Sequence, residues 1–379
     1  MWFPQLQSRR FERDMKLAEN YGCQGILGIH WRHRIIEPVA GYLAHRTWAD
    51  VAAHDDYAAY ARTQASGARA ASLAALFDDI DQNRRFLCTW TGRYQPDGHI
   101  ERQEFAGDYS EAFLPERNYT IADEFIAGQA EAINALGRLL SEATSALERE
   151  RLGYWYGQSK FLDPYTRAWK VGQVLARLVE AQYARKQQGE AEAAAAVIRS
   201  EGVPLWIELL GYVREAVLAF QRTVATRNDL GMLASVHNKF VRIAAFRMGE
   251  SLREFLGELP PEAEAARSAA LAPDSELQAA VFIPTRPTRL SPGETVPITA
   301  VAPGARELGA VALHWRAIGA RAWRSAEMSL VGRRTYALEL TMPPGADAGI
   351  EYYVTATFAG APAPVVCRAP VEGVYRITG

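Results

Sequence analysis

The spacing of apolar residues changes along the chain, and each change predicts a different kind of element. Residues 8–21 repeat at the helical period, with Phe11, Met15 and Ala18 on one stripe. The near-continuous apolar run of residues 24–32, QGILGIHWR, is typical of a strand buried on both faces of a parallel sheet. A helix followed by such a strand forms half of a βαβ unit, yet no second strand of this kind follows.

The middle of the chain, from Val39 to about Leu256, has a helical period almost throughout. Pro164 is expected to kink or split its helix. Phe161, Tyr165 and Trp169 recur at a spacing of four, which predicts a buried stripe. A long aromatic and polar loop is expected over residues 83–118. The predicted helices lie near residues 38–53, 55–65, 67–83, 120–147, 148–187, 189–200, 203–226 and 230–257.

The last hundred residues alternate with a period of two. The preceding segment, residues 258–276, is rich in Ala, Pro and Glu and is expected to be a linker. Gly and Pro separate the strand candidates at short intervals, which is the signature of an antiparallel sandwich of about seven strands. The candidates are residues 279–283, 296–301, 310–316, 323–328, 335–341, 351–358, 365–368 and 374–378.

Composition and charge exclude several classes of protein. Lys and Arg total 42 against 44 for Asp and Glu, so no basic excess is present to neutralise nucleic acid. Cys23, Cys88 and Cys367 lie far apart without C-x-x-C spacing, so neither a disulfide framework nor a cysteine zinc site is expected. The chain has no G-x-G-x-x-G, P-loop, G-x-S-x-G or H-E-x-x-H motif, and no cofactor is predicted.

The segment GIHWRHRIIEP, at the end of the predicted buried strand, is the most concentrated polar and aromatic cluster. α/β barrels place ligand contacts at strand ends of this kind. Trp31 suits stacking against a sugar ring, and Arg32 and Arg34 suit carboxylate or hydroxyl groups. His30 and Glu37 suit proton transfer. The structural alternative is that Trp31 caps the core and Arg32 pairs with an acidic neighbour.

The histidine and carboxylate patterns elsewhere in the chain are not predicted to form a metal or catalytic site. His30 and His33 have H-x-x-H spacing and His45 follows, but residues i and i+3 of an extended strand point to opposite faces, so no metal site is predicted. Glycoside hydrolysis needs two carboxylates flanking one bond. Asp55 and Asp56 are expected at a helix N-terminus instead. The acidic group Asp78, Asp79 and Asp81 is expected on a solvated helix face.

The segments FERDMKLAENYGCQGILGIHWRHRIIEP, YLAHRTW, DDYAAYARTQASG, LAALFDDID, RLGYWYGQSKFLDPYTRAW and NDLGMLASVHNKF together resemble the C-terminal part of large bacterial TIM-barrel glycoside hydrolases. The related families are the α-glucuronidase-like and β-hexosaminidase-like enzymes. The segments VALHWRAIGARAW, RTYALELTMPP and GIEYYVTATF resemble fibronectin type III or Ig-like modules.

This resemblance implies a multidomain fold with α and β parts. Residues 1–37 would be the remnant end of an α/β barrel, 38–257 a mainly α-helical domain, 258–276 a linker and 277–379 an antiparallel β-sandwich. It also implies that Trp31 forms a wall of the sugar site, that Arg32 and Glu37 contact substrate, and that the principal catalytic acids lie upstream of Met1. Together with the cluster described above, the candidate substrate contacts are Trp31, Arg32, His30 and Arg34, and Glu37 is the candidate catalytic residue.

The expected function is therefore that of a carbohydrate-active protein, the C-terminal portion of a glycoside hydrolase, with an oligosaccharide or polysaccharide as partner. A homodimer or an upstream barrel chain is expected to cover the open edge of the incomplete barrel.

The chain has no signal peptide or membrane span as it stands and would be cytoplasmic. It would be periplasmic or secreted if an exported N-terminal part is missing. The alternative is a non-enzymatic glycan-binding or protein-assembly module that uses Trp31, Trp90, Trp315 or Trp323, although the last two are more simply sandwich core.

Overall fold

A computed structural model describes residues 6–25, 34–83, 85–86, 91–94, 100–103, 123–224, 227–271, 277–343, 348–367 and 373–378. The chain forms two compact units. The helical unit comprises residues 1–220 and 232–272, and the β unit comprises 221–231 and 273–379. The predicted fold class, a helical part followed by an antiparallel β-sandwich, is confirmed.

Most of the described part of the first unit is helical. The first seven are α1 (Ser8–Asn20), α2 (Glu37–Arg46), α3 (Ala53–Gln64), α4 (Gly67–Gln82), α5 (Asp123–Ser141), α6 (Ala146–Lys160) and α7 (Leu162–Gln187). The break between α6 and α7 falls just before Pro164, because proline fits the first turn of a helix but not its interior. The predicted stripe is buried, with Phe161, Tyr165 and Trp169 each at most 1% exposed.

The remaining helices include three stretches of wider winding. They are α8 (Ala191–Val197), α9 (Val203–Gln221), α10 (Arg227–Val236), α11 (Met248–Leu256) and α12 (Pro261–Leu271), with π-helical turns at Ile198–Gly202, His237–Val241 and Ile243–Arg247. In the last π turn the Ala244 carbonyl accepts a hydrogen bond from Trp206 Nε1 at 2.8 Å. This buried bond gives the indole N–H, which can only donate, an acceptor inside the core.

The N-terminus of α1 is capped by side chains from other helices. Gln7, at the N-cap, provides no side-chain hydrogen bond. The Ser8 N–H donates instead to Tyr57 Oη at 3.1 Å, and the Arg9 N–H donates to Asp81 Oδ2 at 2.9 Å. Tyr57 Oη in turn donates to Asp81 at 2.7 Å. The expectation that the Asp81 region forms a solvated face is therefore wrong for this residue, because its carboxylate joins α3 and α4 to the start of α1.

One predicted element lies mostly outside the described residues, and two predicted irregular segments contain regular secondary structure. The predicted parallel strand over 24–32 lies outside them except for its first two residues. Within the predicted loop 83–118, two short antiparallel strands are present, β1 (Thr91–Tyr94) and β2 (Ile100–Gln103). The predicted linker 258–276 contains α12, which packs through the buried Ala263 and Ala270. Arg253, on α11, binds Glu264 of this helix, so an ion pair joins the two helices.

The β unit contains two antiparallel sheets. Its strands are β3 (Thr295–Val301), β4 (Leu308–Ala317), β5 (Arg324–Glu327), β6 (Ser329–Gly332), β7 (Thr335–Thr341), β8 (Ile350–Phe358), β9 (Val365–Cys367) and β10 (Tyr375–Ile377). One sheet has the order β10-β8-β4-β5, with β9 also paired to β8, and the other has the order β3-β7-β6. The predicted strand 279–283 makes only a single bridge, Phe282 to Val301.

Both sheets contribute to one apolar core. Ile298 and Leu340 come from the three-stranded sheet, and Leu313, Tyr352 and Val354 come from the other; all are at most 2% exposed. Core residues alternate with outward-facing ones along β4 and β8, as the period of two predicts. The core therefore accounts for only one face of the larger sheet.

Candidate functional site

The residues predicted to bind substrate are only partly within the described structure. His30, Trp31 and Arg32 lie outside the described residues. The backbone of Arg34 begins a 3₁₀ turn that ends at Ile36. Glu37 opens α2 with its side chain exposed, and its Oε2 accepts a hydrogen bond from Tyr60 Oη at 2.9 Å. The structure thus leaves the roles assigned to these five residues as predictions.

His45, considered above as a metal ligand, contacts a carboxylate. Its Nδ1 lies 2.6 Å from Asp56 Oδ1. Asp56 is 2% exposed, and burial raises the pKa of its carboxyl above the usual value while the His45 contact opposes this shift. No group of three His, Cys, Asp or Glu suited to a metal ion occurs among the described residues. The pair joins α2 to the first turn of α3, where Asp55 and Asp56 lie as predicted.

A second concentration of aromatic and polar groups lies on the outer face of the five-stranded sheet. Leu313 and Trp315 of β4 face the core, so His314 and Arg316 face outward. On the neighbouring strand β8, His314 is directly opposite Tyr353. The side chains of His314, Arg316 and Tyr353 on this outer face are half-buried.

Three rings form what we call the aromatic platform: His314, Tyr353 and Trp323. The His314 and Tyr353 rings stack with centroids 4.6 Å apart and an angle of 9° between their planes. Trp323, just before β5, meets the Tyr353 ring edge-to-face with centroids 4.8 Å apart. His314 Nε2 lies 2.9 Å from Thr355 Oγ1, which fixes the imidazole in its stacked position. Each ring of the platform is therefore held by at least one specific contact.

A row of charges borders the platform across three strands. Arg316 of β4, Glu351 of β8 and Arg376 of β10 occupy opposed positions in the sheet. Arg316 Nε donates to Glu351 Oε2 at 2.8 Å, and Arg376 Nε donates to Oε1 at 3.3 Å. The Arg316 guanidinium also lies 4.5 Å from the Trp323 ring centroid, a cation–π contact. Two guanidinium groups thus share one carboxylate, so the row carries a net positive charge.

This arrangement is suited to binding a ligand that has both an apolar face and hydroxyl or anionic groups. Aromatic rings supply apolar contact area at a low cost in conformational entropy, and the guanidinium, imidazole and hydroxyl groups supply directed hydrogen bonds.

The prediction that Trp315 and Trp323 belong to the sandwich core is confirmed for Trp315, which packs against the core. It is wrong for Trp323, because this residue contacts Tyr353 and Arg316 on the outer face. The alternation along LHWRA is the sequence signal that could have placed His314 and Arg316 on the face opposite Trp315. The pairing with Tyr353 depended on strand order and register, which local sequence does not specify.

No protein-family model matches the chain, and no curated protein matches it. Among solved structures, a partial likeness is found to the endo-β-1,4-mannanase from Thermotoga petrophila, with 15% identity and a TM-score of 0.22. The match covers 32% of this chain and 25% of the mannanase, so the chain spans about a quarter of that protein's length. A TM-score this low does not establish a shared fold.

No helix in the described ranges has the length and apolar character that crossing a bilayer requires.

Proposed function

We propose that the chain is a carbohydrate-binding protein whose β unit holds an oligosaccharide or polysaccharide on the aromatic platform. The observation that carries this proposal is the cross-strand stack of His314 and Tyr353 beside Trp323 on the face of the sheet that the core does not use. A sugar ring presents C–H bonds on one face and hydroxyl groups around its rim. It is therefore complementary to aromatic rings bordered by Arg316 and Thr355.

The fixed positions of the platform side chains support a role in binding a ligand. Outer faces of antiparallel sheets are commonly polar and solvated, and a cross-strand aromatic pair contributes about 0.2–1 kcal/mol to a sheet. Contacts with Thr355 and Arg316 hold the rings in place before any ligand arrives. Little conformational entropy would then be lost on binding, which raises affinity.

From the sequence resemblance we further propose that the chain works as the C-terminal portion of a glycoside hydrolase, with substrate contacts at His30, Trp31, Arg32 and Arg34. The hydrolytic acids would lie upstream, and Glu37 would assist. Glu37 accepts a hydrogen bond from Tyr60, and glycoside hydrolysis needs two opposed carboxylates. Because this proposal puts the hydrolytic acids upstream, we expect the 379-residue chain to bind glycans without hydrolysing them.

The test is affinity electrophoresis of the full chain through gels that contain soluble glucan, mannan, xylan or a polyuronate. At least one polysaccharide should retard the chain, and Trp323→Ala should weaken the retardation about tenfold or more. Trp48→Ala is the matched control, because Trp48 is 91% exposed in the other unit and should leave retardation unchanged. Circular dichroism checks that each variant is folded.

Three outcomes would contradict parts of the proposal. Unchanged retardation of Trp323→Ala and His314→Ala, with loss in Trp31→Ala, would move binding to the N-terminal segment. No retardation in any gel would favour the protein-assembly alternative. Turnover of aryl glycosides at ordinary enzyme rates by the purified chain would show that the catalytic acids lie within it.

A further inference from the structure

The row formed by Arg316, Glu351 and Arg376, which we call the charge row, offers solvent mainly its positive groups. The side chain of Glu351 is 7% exposed, whereas those of Arg316 and Arg376 are 28% and 48% exposed. The carboxylate is covered because Glu351 lies on β8, the strand between the strands of the two arginines. A ligand at this end of the platform therefore meets two cations and very little anionic surface.

Glu351 holds the two guanidinium groups with different strength. Arg316 makes two contacts with Glu351 Oε2, from Nε at 2.8 Å and from Nη2 at 2.7 Å. Arg376 contacts Oε1 from Nε at 3.3 Å. Charge-assisted hydrogen bonds of this kind are about 2.7–2.9 Å long, so the Arg376 contact is the weaker of the two. One carboxylate cannot neutralise two guanidinium groups, and the more exposed of the two is also the one that Glu351 holds less tightly.

The charge row lies within reach of a ligand that rests on the rings. Glu351 and Tyr353 are two positions apart on β8 and share the outer face, so they are separated by about 7 Å along the strand. Arg376 is opposite Glu351 on the adjacent strand. Within the described strands of this sheet, a further carboxylate on the outer face belongs to Glu327. It is opposite the β4 residue four positions before Arg316, about 13 Å away along the strand, at the other end of the face.

We propose that the ligand of the platform is an anionic glycan, whose sugar rings carry carboxylate or sulfate groups, and that Arg376 and Arg316 bind those groups. This inference rests on the proposed function, because it names the class of glycan that the same site takes. Guanidinium groups suit this ligand, since their planar fork donates paired hydrogen bonds to oxyanions. The whole chain has a net charge of −2, so a general attraction of polyanions to the protein does not account for such binding.

Two matched pairs of polysaccharides test the proposal by biolayer interferometry of the full chain on sensors that carry them. One pair is polygalacturonate and its methyl ester, and the other is dextran sulfate and dextran, so each pair shares a backbone and differs in charge. At about 0.01 M salt, at least one charged member should bind at least about tenfold more tightly than its neutral partner. The pair that shows this difference identifies whether carboxylate or sulfate is recognised. At about 0.15 M salt the difference should shrink, because charges are then screened beyond about 8 Å instead of about 30 Å.

Single substitutions assign the effect to the charge row. Arg376→Gln should lower the ratio of charged to neutral affinity about fivefold or more. Arg376→Lys keeps the positive charge but not the planar fork, and should retain more of the ratio than Arg376→Gln. Arg333→Gln is the matched control, because Arg333 is an exposed arginine between β6 and β7 of the other sheet and should leave the ratio unchanged. Circular dichroism checks that each variant is folded.

The outcomes separate this inference from the proposal on which it rests. Equal affinity for charged and neutral members, or a loss in Arg376→Gln no greater than in Arg333→Gln, would overturn the inference and leave carbohydrate binding standing. Absence of binding to every polysaccharide, charged or neutral, would refute the proposed function and this inference with it. Oligodeoxythymidylate bound as tightly as the charged glycans would assign the face to single-stranded nucleic acid instead.

Discussion

Replacement of Glu148 by glutamine is expected to destabilise the helical unit. Glu148 lies in the first turn of α6 and is 5% exposed. It accepts hydrogen bonds from Arg69 Nε at 2.9 Å and Arg69 Nη2 at 3.0 Å, and from the backbone N–H groups of Ser66 and Thr144, each at 3.0 Å. The carboxylate thereby joins the start of α4 to the start of α6, far apart in sequence.

The magnitude follows from the electrostatics of this contact. The Arg69 guanidinium, assisted by the two backbone donors, lowers the pKa of Glu148 from 4.5 to about 2. Each pKa unit corresponds to 1.36 kcal/mol, so the folded state favours the carboxylate by about 3 kcal/mol. Arg69 is 22% exposed, and water screens part of this energy. Glu148→Gln keeps the shape but removes the charge, and should cost about 2 kcal/mol at neutral pH.

The pH dependence has a definite sign. Because the folded pKa is lowered, the contribution of Glu148 is fully present above about pH 4.5 and is lost as the pH falls towards 2. Urea unfolding followed by far-UV circular dichroism, which reports on the helices, measures the difference between wild type and variant at each pH. That difference should be largest at neutral pH and should shrink as the acid limit is approached.

A neighbouring glutamate provides the control. Glu142 lies in the same connection between α5 and α6, and its side chain is exposed. Glu142→Gln should change the free energy of unfolding by less than about 0.5 kcal/mol. The reasoning would be refuted if Glu148→Gln were as stable as wild type at neutral pH, or if its deficit did not depend on pH.

Two further substitutions test other contacts, both by urea unfolding with circular dichroism. Tyr57→Phe removes a buried hydroxyl that donates to Asp81, and should cost about 1–3 kcal/mol; a neutral effect would show that α1 needs no such cap. Gly349→Ala should cost about 3 kcal/mol or more, because φ is +100° and the new Cβ would overlap the Ile377 carbonyl oxygen. Gly360→Ala, at φ +67° with open space around it, should cost distinctly less, and equal losses would contradict the steric explanation.

Most element types could be predicted from the sequence because periodicity reports which face of an element is buried. The stripe of Phe161, Tyr165 and Trp169 indicated the correct element and the correct buried face, and the alternation over residues 310–316 indicated strand β4. Boundaries and exceptions depended on longer-range contacts. The segment 258–276 lacks an apolar stripe, yet α12 forms there because small alanines pack and Glu264 pairs with Arg253 of α11.

The candidate site illustrates the limit of local pattern. The sequence by itself determined that His314 and Arg316 share a face opposite Trp315, because side chains alternate along a strand. Only the tertiary structure decided that Tyr353 lies across from His314 and that Trp323 joins them, because strand order and register bring together residues distant in sequence. The same holds for Asp81, which the acidic group Asp78, Asp79 and Asp81 predicted to be solvated. Its partner Tyr57, like the pair Arg69 and Glu148, comes into contact only once the helices have packed.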